Sequence, residues 1–358
     1  MDGPGIVTSA DQSVLDALRT GIGEVLADVS SSTDVHAFID GRNQLDATLW
    51  QRAASLGWLG VGIAEAYGGL GLGVRGLDVL HTELGRHAAP GPYIATLCAA
   101  QALGETADAA IRERWLPRIA SGEISVAIPA APAGRSVRYL GAPDAALALM
   151  PRAGGAAWGV VELGAGRVTA VPLWDRTRSL VEIAADDVAP SAVLADGAAV
   201  ADALTRAMAL AVAADCRGGA RAITERTVDY MKTREQFGRP IASFQALKHR
   251  AADLATKLAV IDEIVAQGVD EAEGADAGLW ASLAKTEASE AFVFVATECT
   301  QLHGGVGYTW DFDPHVYLKR ARLNESLIAP NPALRDRAAA SLAAASRAGR
   351  SAMELALS

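Results

Sequence analysis

Apolar side chains recur every three or four residues in DQSVLDALRTGIGEVLADV (11–29) and in LDVLHTELGRHAA (77–89), the spacing of amphipathic helices. The turn signals AYGGLGLG (66–73) and APGP (89–92) interrupt them, so residues 11 to about 122 read as a small helical bundle. From Ile124 to about Leu194 the period shortens. ISVAIPA, ALALM, AAWGVVEL, RVTAVPLW and SLVEIAA are short β-type runs separated by Gly, Pro and Asp, which predicts a compact antiparallel sheet or barrel. From about Gly197 the helical period returns in long runs, broken at FGRP (237–240), GADAG (274–278), HGGVGYTWDFDP (303–314) and APNP (329–332). Four or five long helices in a second bundle are expected. The reading is a mainly α chain with a small central β domain, divided at 1–122, 123–196 and 197–358.

Composition narrows the chemistry. A net charge of −10 over 358 residues and a pI near 5.1 disfavour a non-specific grip on nucleic acid or an anionic membrane. Any bound anion needs a local cation. No basic leader with an apolar core opens the chain, and no apolar run reaches membrane-spanning length without a charge or turn, so a cytoplasmic location is expected. Cys98, Cys216 and Cys299 are scattered and read as buried free thiols, and the six His show no paired ligand spacing, so no metal is expected.

The polar, aromatic bend KTREQFGRPIASFQ (232–245) exceeds what a helix hairpin needs, and QLHGG (301–305) places an amide before two residues without Cβ atoms. A guanidinium is a planar fork of donors suited to a diphosphate, and the helix after Pro240 offers its N-terminus nearby. The plainer alternative makes both turns helix breakers, with Arg234 paired to a surface carboxylate.

The order of zones, LGWLGVGIAEAYGGLGLG (56–73), WLPRIASGEISVAI (115–128), TREQFGRPIASFQ and QLHGGVGYTWDFDPHVYLKRA (301–321) resemble the acyl-CoA dehydrogenase family over nearly the whole chain. That resemblance implies an N-terminal helical bundle, a β-barrel or sheet and a C-terminal four-helix bundle. It implies FAD lying between subunits, with Arg234 on the pyrophosphate, Phe237 packed on the cofactor, Gln245 hydrogen-bonded to it, and Gln236 and Phe244 in the same bend. Gln301, Gly304 and Gly305 would face the same ADP half.

Such flavoproteins oxidise an acyl-CoA between its α and β carbons, which needs a carboxylate to take the α-proton. The family's common Glu aligns with Ala329, and the less common position aligns with about Met208. IPAAPAGRSV (128–137) departs from the family's T-E-P-x-x-G-S-D loop, and only Ser136 and backbone amides remain there as donors. No catalytic residue is therefore assigned. Glu325 and Asp215 are candidate displaced bases, with surface pairing, such as Glu325 to Arg322, as the plainer role. Tyr308 and Trp310 are candidates to line a cleft, with packing beside the glycine turn as the plainer role.

A kept ADP grip without a base resembles one subunit of the bacterial heteromeric acyl-CoA dehydrogenases, α2β2 assemblies that share one FAD per pair of unlike chains. VPLWDRTRSLVEI (171–183) is similar to their shorter subunits, several of which act on steroid side-chain CoA esters. The implied partners are a homologous subunit with the catalytic Glu, an acyl-CoA and an electron-transfer flavoprotein or similar acceptor. A homomeric oxidoreductase with a displaced base and a scaffold that has lost flavin stand as alternatives.

Overall fold

The computed structural model describes residues 9–132, 138–185 and 187–350. Six helices open the chain: α1 (Ser9–Val29), α2 (Ser32–Ile39), α3 (Leu45–Ser55), α4 (Gly73–Arg86), α5 (Tyr93–Thr106) and α6 (Ala109–Ala120). Local chemistry sets their limits. Ser31 and Asp34 form a reciprocal capping box at the start of α2, and the Asp108 carboxylate accepts from Ile111 N–H at the start of α6.

Seven strands follow: β1 (Val126–Pro129), β2 (Tyr139–Leu140), β3 (Leu147–Arg152), β4 (Ala157–Glu162), β5 (Val168–Val171), β6 (Leu180–Ile183) and β7 (Ala192–Leu194). Their order in the sheet is β5-β6-β2-β1-β3-β4-β7. The expectation of a purely antiparallel sheet is corrected at one pair, because β1 and β3 run parallel. After β2 returns along one edge of β1, the chain crosses to the other edge, and that crossing restores the direction of β1. The inner strands β1, β2, β3 and β4 are buried on both faces over most of their length. Val126, Ile128, Leu147, Leu149, Trp158 and Val160 join the main core, while Ala127, Ala148, Met150 and Val161 form a second, smaller cluster.

Five helices complete the chain: α7 (Gly197–Thr233), α8 (Gln245–Asp270), α9 (Ala277–His303), α10 (Pro314–Ser326) and α11 (Asn331–Arg347). α7 is long and apolar enough to cross a membrane by length and composition, but it lies mostly buried as the central helix of the protein. Small residues let α4 cross it in backbone contact. A Cβ at Gly85 would stand 2.2 Å from the Asp215 carbonyl oxygen, and one at Gly218 would stand 1.9 Å from that of Thr82. Arg217 seals the crossing with bonds of 2.7 Å to Asp78 and to Thr82. Cys98, Cys216 and Cys299 are buried free thiols, as expected, and no cluster fit for a metal ion occurs among the described residues.

Candidate functional site

α7 ends where Arg234 leaves the helical path, its N–H still bonded to the Tyr230 carbonyl at 2.8 Å. A small hairpin follows, β8 (Glu235–Gln236) against β9 (Arg239–Pro240). Its two turn residues, Phe237 and Gly238, have φ of 55° and 74°. A two-residue hairpin loop of this kind needs left-handed backbone at both positions, which glycine adopts freely and phenylalanine does not. The Phe237 ring is nonetheless 90% exposed. An aromatic side chain on strained backbone, held in water, points to a surface or ligand that it meets.

The rest of the bend is braced from within. Phe244 meets Phe237 edge-on with ring centres 6.0 Å apart, and the Arg239 guanidinium lies 4.2 Å above the Phe244 ring. Gln236 donates to the Glu235 carbonyl at 2.8 Å. Gln245 opens α8, whose first N–H groups have no side-chain cap. α8 and α9 pack side by side, tied near this end by Arg250 Nε donating to Glu298 at 2.8 Å.

The last turn of α9 carries Gln301, and the chain leaves it at Gly304 with φ 66° and ψ −146°. Nothing lies within 4 Å of where a Cβ would sit on Gly304 or Gly305, so the backbone there is open to close approach. Tyr230, at the root of the hairpin, stacks on His303 at 4.4 Å, and Phe312 meets both rings edge-on at 5.8 Å. Burial holds the His303 imidazole below its usual pKa, and Nδ1 lies 2.8 Å from the Cys299 carbonyl. This aromatic knot brings the two sequence blocks to one end of the bundle. Arg234, Gln245 and Gln301 are exposed there, and none has a side-chain partner among the described residues.

Residues 13–123 match the acyl-CoA dehydrogenase N-terminal domain and residues 195–343 the C-terminal domain. The acyl-CoA dehydrogenase IpdE2 of Mycobacterium tuberculosis is 32% identical over 336 residues, covering 89% of this chain and 94% of its own length. The chain belongs to the acyl-CoA dehydrogenase family. Among solved structures, a chain of the Tcur3481-Tcur3483 steroid ACAD shares 27% identity with a TM-score of 0.83, covering 94% of this chain and 99% of that one. A chain of the Mycobacterium tuberculosis ChsE4-ChsE5 complex shares 25% identity with a TM-score of 0.82, over 96% and 99%.

The positions that the family resemblance aligns with a base, Ala329 and about Met208, hold no carboxylate. Met208 is buried in α7, and Ala329 lies in the turn between α10 and α11. That turn is shut. Ile328, with φ 74°, donates its N–H to the Ala130 carbonyl at 2.8 Å, and Ala329 donates to Leu327 at 3.0 Å. Beneath it the buried Lys285 ammonium donates to the Glu325 carbonyl at 2.8 Å and to Asn331 Oδ1 at 2.7 Å. Burial brings the Lys285 pKa down to about 8. Glu325 pairs with Arg322 at 3.1 Å, the surface role expected for it.

Asp215 is no displaced base. Asp215 is 1% exposed; its carboxylate accepts from Arg320 Nε at 3.1 Å and Asn324 Nδ2 at 2.7 Å and forms an ion pair with Arg178 Nη2 at 2.6 Å. Burial alone would raise its pKa, but the Arg178 and Arg320 charges and the hydrogen bonds from Arg320 and Asn324 outweigh it and hold the group well below the carboxylate range. It stays ionised and enclosed. His81, buried nearby, is pushed down to about 4 by burial and stays neutral.

Tyr308 and Trp310 are 70% and 52% exposed rather than packed inside. Ser136 and part of the 128–137 stretch lie outside the described residues. Sequence reasoning missed Lys285 and Arg178. The signal for the first is a single cation on an otherwise small and apolar helix face in WASLAKTEAS (280–289); Arg178 sits in the DRTRS turn with nothing local to mark it as buried.

Proposed function

We propose that this chain is the subunit of a heteromeric, FAD-dependent acyl-CoA dehydrogenase that grips the ADP half of the cofactor, while a homologous partner supplies the base. The observation that carries this is the pairing of three polar side chains without a side-chain partner among the described residues, Arg234, Gln245 and Gln301, at an open glycine end, with a turn from Leu327 to Pro330 that holds no carboxylate. Arg234 would hold the pyrophosphate as a charge-assisted fork, Gln245 and Gln301 would offer amide hydrogen bonds, Phe237 and Phe244 would cover an apolar face, and Gly304 and Gly305 would let the backbone come close. FAD, when bound, supplies the acceptor for the hydride that leaves the β-carbon of the acyl group. This chain positions and retains it. The α-proton goes to a carboxylate of the partner.

The substrate class is an acyl-CoA thioester. The steroid ACAD named among the structural relatives makes a steroid side-chain ester the preferred form. An electron-transfer flavoprotein or similar acceptor would complete the cycle.

A homomer with Glu325 as its base is the competing reading, since Asp215 is enclosed. Purified alone, the chain should be colourless; co-expressed with its partner, it should be yellow. Glu325→Gln should leave turnover of the assembled enzyme within a few-fold, whereas loss of a true general base costs about 10²- to 10⁴-fold. Bound flavin and turnover in the lone chain, abolished by Glu325→Gln, would establish the homomer. A chain that stays colourless with every partner would be a scaffold.

A further inference from the structure

A cleft of about 1130 Å³ opens between the N-terminal bundle, the first turns of α7, the turn from α8 to α9 and the end of α11. Ala203, Arg206, Ala207 and Leu210 line it from α7, the i, i+3, i+4, i+7 stripe of one helix face, and Ala100, Gly104 and Leu116 join them from α5 and α6. Met208 and Ala329, the positions aligned with a base, do not border it. Arg234 follows Leu210 by 24 residues, roughly 36 Å along the helix, so the cleft is separate from the cofactor grip.

Most charges around the cleft are matched. Arg206 is held by Glu105 and by Asp202 at 2.8 Å, Arg350 donates to Asp276 at 3.0 Å, and Glu273 is exposed. Arg112 is different. Its guanidinium lies 5.9 Å from the Tyr67 ring centre and donates to the Gly104 carbonyl at 3.4 Å, with no carboxylate in ion-pair distance among the described residues. Its Nε is buried and has no hydrogen-bond partner there. Gln101, half-buried in the otherwise apolar run YIATLCAAQAL of α5, lines the same cleft, and its amide makes no side-chain hydrogen bond among the described residues. Buried donors without partners are costly, and an apolar cleft with a few unpaired polar groups is the makeup of a ligand site.

We infer that this cleft is a second binding site, one that takes an amphipathic monoanion: an apolar body ending in a single carboxylate. The body lies along the α7 stripe, and the carboxylate meets the Arg112 guanidinium as a charge-assisted acceptor. A neutral ligand leaves Arg112 unmatched. A diphosphate fares worse, because the one cation without a carboxylate partner stands among Glu105, Asp202, Glu273 and Asp276, which repel a second negative charge. No position aligned with a base borders the cleft, so the ligand is held here without being oxidised, and the inference is independent of the heteromeric reading.

The probe is cis-parinaric acid, a linear acid that fluoresces on leaving water, titrated into the full chain with its methyl ester as the neutral control and cholate as a fused-ring competitor. The acid should saturate at one per chain and bind at least about tenfold more tightly than the ester, the effect of one charge-assisted hydrogen bond. Arg112→Gln should remove that preference and leave ester binding unchanged. Ala344→Trp, at an exposed lining position of α11, should weaken acid and ester alike by obstructing the cleft. Melting temperatures check folding, and the acid-to-ester ratio of the wild type together with Ala344→Trp decides the matter even where Arg112→Gln does not fold. Displacement by cholate assigns the cleft to fused-ring acids as well, and its failure assigns it to linear ones. Equal binding of acid and ester overturns the inference, as does a preference kept in a folded Arg112→Gln chain. Binding untouched by Ala344→Trp, or no saturable binding at all, overturns it too.

Discussion

Asp215→Asn should destabilise the lone chain by about 3 to 5 kcal/mol, because it leaves Arg178 and Arg320 facing each other in the core without the charge that balances them. Asn keeps the shape and a hydrogen-bonding oxygen for Asn324, so the loss reports charge rather than a cavity. Its pH dependence follows from the direction of the shift. A carboxyl whose folded pKa is depressed stabilises the fold fully above its unfolded pKa of about 3.9, and that contribution drains away as pH falls toward the folded value. The gap between wild type and variant should therefore be constant from neutral pH down to about 5 and should narrow below about 4. Urea unfolding at several pH values measures it. A loss under about 1 kcal/mol at pH 7 would show that the cluster is not the ionic core described, and would reopen Asp215 as a chemical group.

Arg234→Ala acts in the opposite place. In the assembled enzyme it should weaken flavin retention roughly ten- to hundredfold, the equivalent of about 1.5 to 3 kcal/mol for a charge-assisted hydrogen bond to a diphosphate. Arg234→Lys should recover only part, since a point charge does not reproduce the fork. The melting temperature of the lone chain should not move, because the guanidinium is exposed and has no partner among the described residues to lose. Stability and flavin content thus separate the two arginine roles, Arg320 as a support of the fold and Arg234 as the proposed holder of the cofactor. Full flavin content in the Ala variant after extensive dialysis would remove Arg234 from the grip.

The helical and β periods were readable because burial imposes them. The alternation in LALMPR puts Leu147 and Leu149 on one face and Ala148 and Met150 on the other, and DQSVLDALRT carries its apolar stripe at helical spacing. The direction of β3 beside β1 was not readable, because a parallel neighbour depends on which edge the chain reaches after β2, and no local residue encodes that. The proposed grip could be assembled from the sequence because its residues lie within two short blocks, which the fold brings to one end of the bundle. The buried ion cluster was not: Arg178, Asp215 and Arg320 are far apart in sequence, and a charge on an Ala-rich helix looks the same whether it faces water or another helix. Tyr308 and Trp310 were misjudged for a related reason. Aromatics beside a glycine turn usually pack, and only the fold shows that these two are largely exposed.

The central claim is that this chain completes its cofactor site only with an unlike partner. Native mass spectrometry combined with flavin absorbance on the co-expressed pair tests it most directly, and the expected result is an α2β2 heterotetramer carrying one FAD for each pair of unlike chains, with the lone chain free of flavin. A stable homotetramer of this chain carrying four FAD would contradict it.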